Sequence, residues 1–422
     1  MTAIVGVLNK QAVAVAADSA VTIGSGRKIY NTANKIFTLS KHHPVGIAIY
    51  GNASFNSSIP WEIVVKMYRD QLKDATKPTI KEYASDFFDF LEVYKNKYLS
   101  QETLNKALCR DIYSFWREVI LEQRPDDPDI GFKKEECPAI IERLSNIFNE
   151  NSTATPVPRL NAVTKEAFLS SAGIILGVIA KQFEVATCDF NAVRDLVESV
   201  LYLVFVGRVF SHPSYSGLAF FGYGDDEIYP SIYRVRFYDC VVSSLYWEDE
   251  AFAQVDEHPR DSFICPMAQQ DEMTAYITGV NPYMEDAFLQ TTDATFRLLL
   301  ESIANLVEDE NNPIAQNIRG IDIAGLMVDY KKKIEDVKQR NMISPLMGTV
   351  STMGKEDLAE LAENLIYQTS LKRHITPNLE SVGGPVDVAV ISKGDGFIWI
   401  KRKHYFNPAL NQSFFDNYFQ HK

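Results

Sequence analysis

Apolar and polar positions alternate with a period of two at the amino terminus, lengthen to helical spacing through the middle, and return to two near both later strand regions. Residues 2–8 and 11–17 are two runs rich in Val, Ile and Ala, separated by Asn9 and Lys10. That spacing predicts a tight antiparallel hairpin. With Leu8 facing Gln11, Thr2 stands opposite Ala17 and Asp18 falls at the same end of the ladder. Residues 28–30, 34–39 and 45–50 read as further short strands, the last closed by Gly51.

From Ile59 to about Gly207 the pattern is helical. Trp61, Ile63, Val64, Met67, Tyr68 and Leu72 have helical spacing, as do Tyr83, Phe87, Phe88, Phe90, Leu91 and Tyr94, and then Ile112, Phe115, Trp116 and Val119. Residues 124–129 and 149–159, rich in Pro, Asp, Asn and Ser, break the series as loops. Strands resume at 217–222, 231–237 and 241–247. Residues 287–308, 321–340 and 355–374 predict three helices, and Asp395-Gly396 a hairpin turn between strands 386–392 and 397–401. The tail 403–422 carries so many Phe and Tyr side chains that it is expected to dock on its own protomer or a neighbour.

The chemistry concentrates where the chain begins. Removal of Met1 by an aminopeptidase, which the small Thr2 permits, exposes a threonine with its own free α-amine. A hydroxyl needs a base within hydrogen-bond reach, and an α-amine titrating near about 7.7–8.0 supplies one close to neutrality. Asp18 brings a carboxylate to that end of the hairpin. A lysine ammonium on the strand 34–39 would lower the hydroxyl's pKa, and the backbone N–H of Gly51 would serve an oxyanion.

These residues carry a resemblance. Thr2, the run Asp18-Ser19-Ala20-Val21-Thr22-Ile23-Gly24, Lys35 and Tyr50-Gly51-Asn52-Ala53 are similar in order and spacing to the start of a mature proteasome β subunit, especially its two-component bacterial relative that works with a ring ATPase. The resemblance implies Thr2 as nucleophile, Lys35 as the pKa-lowering ammonium, Asp18 as orienter and Gly51 as oxyanion donor. It also implies substrate contact by the segment Ser19, Thr22 and Gly24, with the backbone of Thr22 as an edge for an extended peptide. More weakly, residues 380–391 resemble the late segment in which Ser-Gly-Gly opens the last strand pair, which gives Ser381 a place in the site. Here the order is Ser-Val-Gly-Gly, and Asn378 or Glu380 stands in for an absent aspartate. The family's Gly-Ser-Gly segment corresponds at best to residues 266–271, which contain no serine.

The same resemblance implies an α+β fold, a four-layer αββα sandwich of the N-terminal nucleophile type, as one domain over 1–422 with a helical insertion at 98–161. The activity implied is threonine-type hydrolysis of peptide bonds in a peptide or unfolded protein, by a homo-oligomer of which a ring is one form, with no cofactor and no metal. Two other readings stand beside it: an amidase acting on a small non-peptide amide, and a non-catalytic proteasome-like assembly or regulatory protein.

Composition narrows the field. A net charge of −13 opposes nucleic-acid binding, and the runs Lys331-Lys332-Lys333 and Lys401-Arg402-Lys403 sit among acids or at a strand end. The longest apolar runs, 172–180 and 200–207, fall short of the roughly 20 residues of a membrane span. Five scattered cysteines without a CxxC pair predict free thiols and a reducing cytoplasm. His42, His43 and His212 lack ligand spacing, and the acidic turns 225–227 and 308–310 do not converge on a cation. Gly222-Tyr223-Gly224 reads as a strand-end turn, without the basic residues of a phosphate loop.

Overall fold

Alternating Val, Ile and Ala side chains build an antiparallel pair at the amino terminus, β1 (Ile4–Asn9) and β2 (Val13–Ala17), in the computed structural model. The structure describes residues 2–23, 28–123, 131–208, 215–257, 260–306, 312–376, 383–404 and 406–413. Short strands come next: β3 (Val21–Ile23), β4 (Lys28–Tyr30), β5 (Ile36–Thr38), β6 (Val45–Gly51), β7 (Ser54–Phe55) and β8 (Ile59–Pro60). Then come helices α1 (Trp61–Leu72), α2 (Ile80–Tyr98), α3 (Gln101–Phe115), α4 (Cys137–Asn151), α5 (Lys165–Ser171), α6 (Gly173–Val185) and α7 (Arg194–Phe205). Strands β9 (Ser216–Gly222), β10 (Ser231–Val241), β11 (Ser244–Gln254) and β12 (Ser262–Ala268) precede α8 (Gln270–Thr278), α9 (Pro282–Ala304), α10 (Pro313–Arg319), α11 (Ile323–Lys338), α12 (Ser344–Thr352) and α13 (Lys355–Ile375). The chain closes on the hairpin of β13 (Asp387–Ser392) and β14 (Gly396–Lys401).

The described residues form two compact units. The first comprises Thr2, 19–254 and 391–398, and the second 3–18, 255–390 and 399–422.

The sheet that contains β1 has the order β12-β1-β2-β13-β14, with β12 and β2 antiparallel to β1. Ile4 faces Ala17 and Leu8 faces Val13. This corrects the expected register by two residues, because the turn residues are Lys10 and Gln11 rather than Asn9 and Lys10. Asn9 is the cause: its N–H donates to the Ala12 carbonyl at 3.0 Å, its side-chain oxygen accepts the Gln11 N–H at 2.9 Å, and its Nδ2 donates to Val350 and Met353 carbonyls. A two-residue slip preserves which side chains share a face. Ala3, Val5, Val7, Ala14 and Ala16 therefore pack together with Leu358, Ala362, Leu365 and Ile366 of α13. The alternate residues Ile4, Leu8, Val13 and Val15 are just as fully buried.

In the first unit the order is β11-β10-β9-β6-β5, and all its pairs are antiparallel. Trp61, Tyr68, Phe87 and Phe88 of α1 and α2 cover Val45, Ile47, Leu218, Phe220 and Phe237. Each such ring, fully buried, contributes about 1.5–3 kcal/mol. The Thr79 hydroxyl starts α2 by accepting the Glu82 N–H at 3.2 Å. Helices α3 to α7 share a separate core around Phe115, Trp116, Leu144, Phe168, Phe183 and Leu201. Within it Cys137 and Cys188 form a disulfide, which corrects the expectation of free thiols throughout; Cys109 and Cys240 are free thiols. Thiol chemistry therefore gives no argument for a reducing compartment.

Among the described residues no single helix is long and apolar enough to cross a membrane. The pair α5 and α6 passes on composition only when joined across a 74° bend, and its Phe168, Ile179 and Phe183 are core residues.

Candidate active site

Thr2 stands two residues ahead of β1 and is buried, with 8% of its surface exposed. Its neighbour Ala3 is locked to Asp18 from both sides. The Ala3 N–H donates to Asp18 Oδ1 at 2.8 Å, and the Asp18 N–H donates to the Ala3 carbonyl at 3.1 Å. The second carboxylate oxygen accepts the Gly383 N–H at 3.3 Å. A buried carboxylate taking two backbone donors replaces the hydration that it loses. Gly383 belongs to the glycine pair singled out in the sequence, but its role as a donor to Asp18 has no sequence signal. Gly384 beside it has φ of +78°, where glycine alone is unstrained. Ser381, Asn378 and Glu380 lie outside the described residues.

The other candidates belong to the first unit. Lys35 is 4% exposed, and its ammonium donates to the Ala20 carbonyl at 2.6 Å. It stands one residue ahead of β5 rather than inside the strand, and its carbonyl accepts the Ile49 N–H of β6 at 2.8 Å. Ser19 is fully buried and its carbonyl accepts the Ala33 N–H at 3.1 Å. Residues 19, 20, 33 and 35 are thereby tied into one small loop system. Thr22 lies in β3, opposite Ile29 of β4, in a two-stranded sheet. Among the described residues β3 has a strand on one edge only. Gly24 lies outside the described residues.

Gly51 ends β6 opposite Ser216 with φ of +75°. A Cβ there would stand 2.3 Å from the Tyr215 carbonyl oxygen, so the backbone geometry demands glycine. Neighbouring bonds hold this turn. The Asn52 N–H donates to the Tyr215 carbonyl at 3.0 Å, and Trp61 Nε1 donates to the Ser216 hydroxyl at 3.0 Å. That hydroxyl in turn donates to the Asn52 carbonyl at 3.4 Å.

A second anchor lies five residues further on. The Asn56 N–H donates to Asp239 Oδ1 at 2.8 Å, while Asn56 Oδ1 accepts the Cys240 N–H at 3.1 Å. Both Asn56 and Asp239 have positive φ, 50° and 62°. Burial pushes the Asp239 carboxyl up to about 7, and the charge of Asp111 adds to the rise, against the Asn56 N–H and Arg110. Sequence reading misses this pair because 183 positions separate two unremarkable polar residues.

The segment compared with Gly-Ser-Gly forms the end of β12 and the start of α8. Ala268 faces Ile4, Gln269 has φ of +50°, and Gln270 Nε2 donates to the Met267 carbonyl at 3.2 Å. Among the described residues no three His, Cys, Asp or Glu side chains gather to hold a metal ion.

No family model matches the chain, and no curated protein matches it. Solved structures that resemble it include a Gly-1 mutant of Anbu from Hyphomicrobium sp. strain MC1, at TM-score 0.30 and 9% identity, over 99% of this chain and 94% of that one. Another is Anbu (ancestral beta-subunit) from Yersinia bercovieri, at TM-score 0.26 and 10% identity, over 98% and 93%. Likeness at these scores carries no functional argument.

Proposed function

We propose that the chain is a threonine-type N-terminal nucleophile hydrolase of peptide bonds, of the four-layer αββα sandwich class, with residues 98–161 as an insertion. The observation that carries this reading is the reciprocal Ala3–Asp18 bonding, which holds a buried carboxylate on the backbone of the residue next to Thr2. Burial of both faces of β1 and β2 is what a sandwich of two sheets requires.

In this mechanism the Thr2 hydroxyl oxygen attacks the scissile carbonyl carbon while the free α-amine takes its proton. The Gly51 N–H receives the developing oxyanion. Collapse of the tetrahedral intermediate expels the amine product, which leaves with that proton, and water then cleaves the threonine ester. Lys35 favours loss of the hydroxyl proton by its charge, Asp18 orients, and Ser19, Thr22 and Gly24 receive an extended substrate along the open edge of β3. Ser381 completes the set. A homo-oligomer accompanies this reading. Phe288, Leu298 and Leu299 of α9, each more than half exposed, are apolar surface that such an assembly would cover.

The test is the intact mass of the purified protein before and after incubation with a peptide epoxyketone, which forms a two-point adduct with an N-terminal threonine and its free amine. Loss of Met1 and a single adduct is the expected result, with no adduct on Thr2→Ala. Retained Met1 without adduct would overturn it and leave the non-catalytic reading. An adduct with turnover of compact amides and none of peptides would transfer the activity to the amidase reading.

A further inference from the structure

A cavity of about 630 Å³ opens in the second unit along one face of α13. Its size lies within the range of ligand sites, about 300–1,000 Å³. Leu361, Asn364, Leu365, Gln368 and Leu371 recur at helical spacing along that face, with Tyr276 of α8 and the Gly383-Gly384 backbone opposite.

The lining chemistry selects the ligand. Among the described lining residues none is Lys, Arg, Asp or Glu, and His374 is the single imidazole. A nucleotide or a divalent cation would meet no carboxylate and no permanently charged base there, only that one imidazole. Asn364 and Gln368 stand one turn apart, and each side-chain amide offers both a donor and an acceptor, the complement of a peptide group. The leucines beside them offer an apolar surface for side chains.

The walls are built before any ligand arrives. Asp271 and Glu272 of α8 pair with Arg373 and Lys372 of α13 at 3.7 and 3.8 Å. Met273 and Leu365, from the same two helices, are buried in one core. A Cβ on Gly383 would meet nothing within 4 Å, so this glycine borders open space, while its N–H holds Asp18 Oδ2 at 3.3 Å.

We propose that this cavity binds a neutral extended peptide segment, hydrogen-bonded by Asn364 and Gln368 and seated on the leucines of α13, one hydrogen bond away from Asp18. The site deepens the peptidase reading by naming a second place where the chain grips its substrate, and that substrate role rests on the reading; the binding itself does not.

The experiment uses the full chain carrying Thr2→Ala, so that no turnover intervenes, and titrates it calorimetrically with acetyl-Leu-Ala-Leu amide, a peptide blocked at both ends. Saturable binding is expected. Asn364→Ala and Gln368→Ala should each weaken it about three- to tenfold, the usual effect of losing one hydrogen bond, and Leu371→Glu should weaken it further by placing a charge in the cavity. All three side chains are exposed, so unchanged thermal midpoints separate lost contacts from lost folding. Absence of saturation, equal binding by all three variants, or displacement of the peptide by inorganic phosphate would each overturn the proposal. An epoxyketone adduct on the Thr2-bearing protein is independent of every one of these outcomes, so the two readings fail separately.

Discussion

The N–H of Gly383 reaches the carboxylate of Asp18 at 3.3 Å across 365 positions of the chain, joining the last glycine pair to the first hairpin. Asp18 Oδ1 simultaneously accepts from Ala3, so both oxygens are committed to backbone donors. Substitution Asp18→Asn keeps the shape but turns an –NH₂ toward one of those N–H groups. Each hydrogen bond to a charged group is worth about 1.5–3 kcal/mol. The expected loss in a denaturant titration is of that size, accompanied by loss of any peptidase turnover; an unchanged midpoint would remove Asp18 from the site's framework.

Gly51→Ala is expected to destabilise the protein by about 1–3 kcal/mol, since it combines positive φ with a Cβ thrust at the Tyr215 carbonyl. Differential scanning calorimetry reads this directly. If Gly51 is also the oxyanion donor, kcat should fall more than KM changes, because the donor acts on the transition state.

Asp239 gives the protein a pH dependence of defined sign. Its folded pKa, about 7, lies above the ordinary 3.8, so between these values the native state binds more protons than the unfolded one. Stability therefore falls as pH rises from about 4 to about 7 and stays lower above it, by up to about 4 kcal/mol from this group. Asp239→Asn retains the acceptor for the Asn56 N–H and should flatten that slope. Urea midpoints at pH 5 and pH 8 for both proteins decide the matter; equal slopes would rule out the buried acid.

Joining Cys137 to Cys188 closes a loop with a sequence separation of 51. Loop-closure entropy alone assigns about 4 kcal/mol to such a link, and about 2–4 kcal/mol is the common range. Cys137→Ala with Cys188→Ala should lower stability by that amount, and a reductant should lower the wild type's transition to match. Insensitivity to reductant would mean that the bridge is not formed.

Within the chain, whatever is decided over a few residues is legible in the sequence. The β1–β2 pair, the apolar strand before Gly51, the helix faces of Trp61–Leu72 and the turn at Gly396 arise from periodicity and from turn chemistry that neighbouring residues set among themselves. Even the register error is local in origin. Asn9 makes its own turn by accepting the Gln11 N–H, and moves each strand end by one residue.

Thr2, Asp18, Lys35 and Gly51 are singled out as candidates because their types and spacing are in the sequence, while their partners are not. That Asp18 meets Gly383, that Lys35 is held by the Ala20 carbonyl, that Asn56 grips Asp239 and that Cys137 finds Cys188 depend on where distant segments return once the sheets are packed. The physical reason is one of range. Side-chain period and turn preference act between neighbours in the chain, whereas these contacts form only when burial of the sheet faces offsets the entropy of closing long loops, and only the tertiary structure decided them.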